Sequence, residues 1–163
     1  MTQPTSTSRF RKEILEFLDE TFEQVHGIYL DKGTSLFETL EPVSAAEASC
    51  RASDRSGSVA AHVKHVTLNL RVLQRSLRGE TVGKVDWREI WENDRPVTTE
   101  AWRSVVEDLR SEYAGVVRLL KDPSTWERED GVGDSMAIAI HTAYHLGAVR
   151  QALNVIRRGG RCS

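Results

Sequence analysis

Cysteine is scarce in this chain: two residues in 163, Cys50 and Cys162, with no Cys-x-x-Cys spacing. That excludes a disulfide-dense scaffold and a zinc knuckle, so both are expected as free thiols without a role. Long hydrophobic runs are also missing. The longest, Met136 to Ile140, is far too short to span a bilayer, and the opening Met1 to Ser8 is polar, without an apolar stretch of signal-peptide length. The expected location is the cytoplasm, away from membranes. An excess of charge of either sign is lacking too. Twenty-two Lys and Arg stand against 24 Asp and Glu, a formal net charge of -2, whereas duplex binding needs a clustered basic face, so nucleic acid is not an expected partner. The late Arg150, Arg157, Arg158 and Arg161 have a plainer reading as cations near a helix C-terminus. No strand-like alternation of useful length and no internal repeat occur.

What is present is helical periodicity. Phe10, Ile14, Phe17, Leu18, Val25 and Ile28 recur at spacings of three and four and predict a helix over 8–31. A long connection with Gly33, Pro42 and a polar run over 49–58 follows, and Ser58 is placed to cap a second helix over 58–78 that stops at Gly79. After a connection holding Trp87, Trp91 and Pro96, Thr98-Thr99-Glu100 caps a third helix over 99–121, with the stripe Trp102, Val105, Leu109, Tyr113, Val116, Leu120. Asp122-Pro123 breaks it. Asp134 or Ser135 is expected to cap a fourth helix over 135–158 that ends at Gly159-Gly160. The fold class is therefore all-α, a four-helix bundle in one domain over 1–163 with loose ends at about 1–7 and 159–163. Two long connections point away from simple up-down-up-down order. A chain of this length buries roughly 70% of its unfolded surface, so it needs no metal to fold, and a metal here would be functional.

Advancing about 100° per residue locates each buried face. On the fourth helix His141 and His145 fall in the middle of an arc of Ala137, Ile138, Val149, Ala152, Leu153 and their neighbours, opposite Arg150 and Asn154. On the second helix His62, His65 and Asn69 lie near the centre of an arc that includes Val59, Val63, Val66 and Leu70, opposite Lys64, Arg71, Arg75 and Arg78. Four of the five histidines thus aim at one interior volume, while His26 reads as an ordinary hydrogen-bonded side chain. Buried imidazoles are unfavourable together unless each nitrogen finds a partner, and a divalent cation supplies one. Spacing of i and i+4 puts two imidazoles on one face where they can share an ion. The bland alternative, a hydrogen-bonded histidine core, stands beside that reading, above all for His62.

Two familiar metal mechanisms do not fit the pattern. The zincin motif needs a glutamate after its first histidine, where this chain has Thr142. Di-iron bundles need several inward glutamates, and no acidic residue falls centrally on the four predicted arcs. Three neutral histidines with an open position suit catalysis better than a sealed structural site, and they favour an anionic fourth ligand, hydroxide or thiolate.

The segments Ser58-Val-Ala-Ala-His-Val-Lys-His65 and His141-Thr-Ala-Tyr-His-Leu-Gly147, with Gln151, resemble the bacterial DinB-like superfamily, also called the YfiT-like metal-dependent hydrolases. The resemblance implies an up-down-down-up four-helix bundle, often a homodimer, with one metal held by a helix-two histidine and a His-x-x-x-His pair. Carried over, it implies His65, His141 and His145 as ligands; His62 has no counterpart and competes with His65 for the helix-two role. Characterised members are thiol-dependent transferases and isomerases that use bacillithiol, mycothiol or glutathione. The resemblance thus implies a thiol-dependent S-transferase. Asn69, one turn after His65 on the same face, is then placed to orient a ligand or a water, and Trp87, Trp91 and Trp126 either wall the pocket or simply pin their loops to the bundle. The alternatives are a hydrolase using metal-bound hydroxide, with Asp86 or Glu89 approaching as base, and a non-enzymatic metal-binding stress protein. Zinc, nickel and iron all suit three imidazoles, and the ligand class is a small molecule.

Overall fold

The structure is a computed structural model that describes residues 6–54, 56–159 and 162. It is all-helical. Four long helices, α1 (Ser6–Phe22), α4 (Val59–Leu77), α6 (Thr99–Lys121) and α7 (Gly131–Arg157), carry the core. Three short ones, α2 (Leu36–Leu40), α3 (Ala45–Ser49) and α5 (Glu89–Glu92), lie in the connections, and a 3₁₀ turn, Pro123–Glu127, precedes α7. Among the described residues there is no strand, only an isolated antiparallel bridge between Arg51 and Ser58. Among the described residues no helix is long and apolar enough to cross a membrane.

One hydrophobic cluster takes residues from all four long helices, among them Leu18, Phe22, Leu70, Leu109, Leu120, Ile138 and Leu146. α4 packs on α6 and on α7, and α1 packs on the same two. An aromatic group knits α1, α2 and α6 together: Phe22 stacks on Tyr113 with centroids 4.2 Å apart, and Phe37 meets both rings. Such pairs add about 0.5–1.5 kcal/mol each beyond the area they bury. Between α4 and α6, Gln74 is buried and donates from Nε2 to the Glu112 carbonyl and carboxylate. Gly115 permits this approach, since a Cβ there would lie 2.3 Å from Gln74 Oε1.

α4 and α6 run over the ranges their periodicity predicts, within one residue. α1 does not. It ends at Phe22 rather than near Asp31, although Ile28 and Tyr29 continue the apolar spacing; both are exposed. The cause is Glu20, whose fully buried carboxylate accepts hydrogen bonds from the backbone N–H of His26, Ile28, Tyr29 and Leu30 at 2.6–2.8 Å. These donors would otherwise have continued the helix, and Gly27, at φ +85, lets the chain fold back over the side chain. An acidic residue therefore does lie in the core, contrary to the reading of the arcs, but both its oxygens are occupied by this loop.

Three further expectations need correction. The connection after Gly33, where no helix is expected, holds two, because Ser35 with Glu38 and Ser44 with Glu47 form complete capping boxes that start α2 and α3. α7 begins at Gly131 rather than 135, with Asp130 at its N-cap; Gly131 packs on the Thr125 carbonyl so closely that a Cβ would lie 2.2 Å from it. The cysteines are not free. Cys50, buried after α3, and Cys162, beyond α7, form a disulfide that closes a 112-residue separation and ties the tail to the α3–α4 connection. Arg157 reinforces the same junction by donating to Glu47 at 2.8 Å. The loose ends expected at about 1–7 and 159–163 fall mainly outside the described residues; within them, residues 6 and 7 belong to α1 and Cys162 is bonded.

Burial alone would raise the Glu20 pKa, but the four backbone donors outweigh it and pull the group from 4.5 to about 2. Its stabilising contribution is thus complete above about pH 4.5 and is lost as pH falls through about 2. Glu20→Gln presents an amide N–H₂ to donors and should destabilise the fold by about 3 kcal/mol at pH 7, read from urea unfolding. An unchanged urea midpoint would show that the 26–30 loop does not depend on this carboxylate.

Candidate metal centre

The site begins with the placement of α4. Ser58 caps it, its side chain accepting from Ala61 N at 3.0 Å. Ser58 is in turn held by buried Asp94, which accepts from the Ser58 backbone N–H at 2.9 Å and its hydroxyl at 2.6 Å, and pairs with Arg51 at 3.1 Å. This clamp fixes the helix start, and with it the depth at which His62 and His65 enter the core. Asp94 was not legible as a site residue. Its neighbourhood in sequence carries no motif, and only the capping character of Ser58 pointed to the junction.

α4 and α7 meet along the histidines. Ring centroids lie 5.0 Å apart for His65 and His141, 4.8 Å for His65 and His145, and 4.5 Å for His141 and His145. Their candidate ligand nitrogens all fall within 4.8 Å of one another. His65 and His145 are buried and His141 is half-buried. Two buried nitrogens, His65 Nδ1 and His141 Nε2, have no hydrogen-bond partner. His145 Nδ1 lies 2.9 Å from His62 Nδ1, which leaves its Nε2 outside that bond. His62 therefore joins the cluster through His145. Among the described residues the group with metal-binding spacing is His65, His141 and His145.

These residues fit a divalent ion on chemistry as well as spacing. Burial holds the His65 pKa down to about 4, with further depression from His141 and His62, and holds His145 at about 3, with further depression from the other three rings. Burial likewise lowers His141 and His62, the latter partly offset by Asp94. Neutral imidazoles with unpartnered nitrogens are the form in which histidine ligates a metal. A four-coordinate ion at about 2.0–2.1 Å from each donor would set nitrogens about 3.3 Å apart, somewhat closer than the 4.8 Å within which the three now lie.

Aromatic side chains cover the cluster. Trp91 lies 5.0 Å from His65 and edge-on to His62 at 5.1 Å, and Trp87 contacts His65 at 5.7 Å. Gly57 makes room for this cover, since a Cβ there would lie 2.5 Å from the Trp91 ring. Trp126 is elsewhere, buried against Phe10 and donating to the Leu120 carbonyl, so it does not wall the site. Asn69 is half-buried with its Oδ1 unpartnered. Asp86 and Glu89 are exposed and outside the cluster, and Thr142, in the place of a zincin glutamate, is fully buried. His26 lies apart, exposed and bonded to Asp19.

Comparison with protein-family models finds no matching family, and comparisons with curated proteins and with solved structures find no match.

The four depressed imidazoles give the metal-free protein a pH signature. Above about 6.5 neither the folded nor the unfolded chain protonates them; below it, the unfolded chain takes up protons that the fold refuses. The imidazoles should lower stability from about pH 6.5 towards 4, their contribution ending near 3 where His145 also titrates, while below about 4.5 the loss at Glu20 adds to the fall. Urea midpoints measured across that range in the presence of a chelator provide the check, and a flat profile from pH 7 to 4.5 would contradict it.

Proposed function

We propose that this chain is a metal-dependent enzyme of the DinB-like kind, a thiol-dependent S-transferase whose divalent ion is held by His65, His141 and His145. The observation that carries the proposal is the meeting of three neutral imidazoles, two of them with buried unpartnered nitrogens, beneath a tryptophan cover. When bound, the ion would supply positive charge that lowers the pKa of a thiol or of water at the open position. The chain's own residues do the rest: the histidines hold the charge, Trp87 and Trp91 limit water, and Asn69 is poised one turn from His65 to orient a ligand. A groove of about 230 Å³ that includes Arg51, Gly57, Trp91 and Asp94 offers an approach beside the cover. Among the described residues no carboxylate belongs to the histidine group, and Asp94 in the groove beside it is engaged by Ser58 and Arg51, which favours a thiol over the hydrolytic alternative.

Contacts between helices support the up-down-down-up order of that family. Lys64 and Leu68 share a groove with Val105 and Asp108, and Arg71 meets Glu112, so α4 and α6 run in the same sense. Phe22, at the end of α1, stacks on Tyr113, and the next residue, Glu23, pairs with Arg110, which favours opposite senses for α1 and α6. Phe10 meets Trp126 just before α7, and Phe17 shares a groove with Ala139 and Ile140, so α1 and α7 agree.

The proposal extends to a cytoplasmic homodimer. Phe17, Tyr29, Met136, Ile140 and Tyr144 are exposed on the α1–α7 side, Ile140 by 64% and Tyr144 by 72%. Exposed apolar patches of this kind commonly mark protein interfaces. In a reducing cytoplasm the exposed Cys162 end of the disulfide would be open to attack by the same small thiols.

Purified protein should carry one divalent ion per chain by elemental analysis, and His65→Ala, His141→Ala and His145→Ala should each lose most of it. With the ion, it should accelerate addition of a low-molecular-weight thiol to an electrophile. Ester hydrolysis without added thiol would support the hydrolase instead, and metal binding without either activity would support a non-enzymatic stress protein. Ile140→Asp should shift light scattering from dimer to monomer without changing metal content; a monomeric wild type at micromolar concentration would remove the dimer.

A further inference from the structure

Of the four inward histidines, His62 is the one for which neither the three-ligand cluster nor the family motif has a place, yet its Nδ1 lies 2.9 Å from His145 Nδ1. Two imidazole nitrogens at that distance share one proton, so one ring must donate and the other accept. If His62 donated, the proton of neutral His145 would sit on Nε2, and that ring would have no free lone pair for an ion. If His145 donates from Nδ1, its Nε2 carries a lone pair. Ligation by His145 therefore selects one direction for this bond and one tautomer for each ring.

We propose that His62 is a positioning residue that accepts the Nδ1 proton of His145, thereby fixing the tautomer and ring plane in which His145 Nε2 serves as a ligand. The inference rests on the metal-centre reading above and deepens it. Histidine ligands are ordinarily oriented by an acceptor on the far nitrogen, most often a carboxylate or a backbone carbonyl. Here an imidazole takes that part. His62 is itself kept in place by three features already described. Trp91 meets its ring edge-on, Gly57 leaves room for that tryptophan, and the Asp94–Ser58 clamp sets the start of α4 one turn before it. His65 enters the core three residues later, so a single helix supplies both a ligand and the support for a ligand on the facing helix.

Three substitutions separate this role from ligation and from packing. His62→Phe keeps a ring against Trp91 but removes the acceptor, His62→Ala removes both, and His62→Asn restores an acceptor near the Nδ1 position. Zinc affinity, measured by competition with a chromophoric chelator, should weaken about 10- to 100-fold in the Phe and Ala variants, the range usual for loss of such a partner. Each should still bind one zinc at saturation, and His62→Asn should recover most of the loss. The cobalt-substituted Ala variant should keep the absorption envelope of the wild type, because the donor set is unchanged. Nitrogen-15 spectra of zinc-loaded wild type should show His145 protonated at Nδ1. A Phe variant with wild-type affinity would overturn the inference, since packing alone would then suffice. So would an Ala variant with an altered cobalt spectrum, which would make His62 a ligand. If the wild type itself takes up no zinc or cobalt, the metal-centre reading fails and this inference falls with it. A wild type that binds zinc alongside an unaffected Phe variant sinks this inference alone.

Discussion

Desolvation of the imidazoles between α4 and α7 is the constraint on which the rest of this structure turns. Two of the rings are buried and two half-buried, and the cost of charging them in that setting holds all four neutral. A neutral ring still needs partners for two nitrogens, and among the described residues the hydrogen bond these rings make is the one between His62 and His145. The surrounding structure serves to keep this arrangement in place. Asp94 and Ser58 fix the start of α4, and Trp91 covers the cluster where the α5 connection crosses it. Such a core is costly as plain packing and well suited to a cation, because buried lone pairs without a hydrogen-bond partner favour a positive charge.

The contrast with Glu20 sharpens the point. This carboxylate is buried as deeply as any residue, yet four backbone donors satisfy it completely. It has no capacity left for a metal or a proton in transit, and its effect is structural: it ends α1 and closes the loop that follows. Two buried ionisable groups in one core thus have opposite meanings, and the difference lies in whether their hydrogen-bonding capacity is filled.

The disulfide and the short helices show how the connections are held without adding to the site. Cys50–Cys162 and Arg157–Glu47 join the end of α7 to the segment leading into α4, so both histidine-bearing helices are anchored at that end. Trp102 adds a third tie by donating to the Val43 carbonyl at 2.8 Å, which fixes the α2–α3 corner on α6.

Periodicity alone determined a good deal: the ranges of α4 and α6, the inward direction of His62, His65, His141 and His145, and the absence of strands among the described residues. These are local properties, set by the 3.6-residue repeat and by caps such as Ser58 and Thr98, and a helix obeys them wherever it packs. Two further local signals are the Ser-x-x-Glu boxes at Ser35 and Ser44, whose helices are only five residues long and so carry too little periodicity to stand out within the connection. Tertiary structure alone decided the end of α1, the pairing of cysteines 112 residues apart, the Trp91 cover and the His62–His145 contact across 83 residues. In each case a side chain meets a group remote in sequence, and the distance between them is set by how the helices pack, which no repeat along the chain encodes.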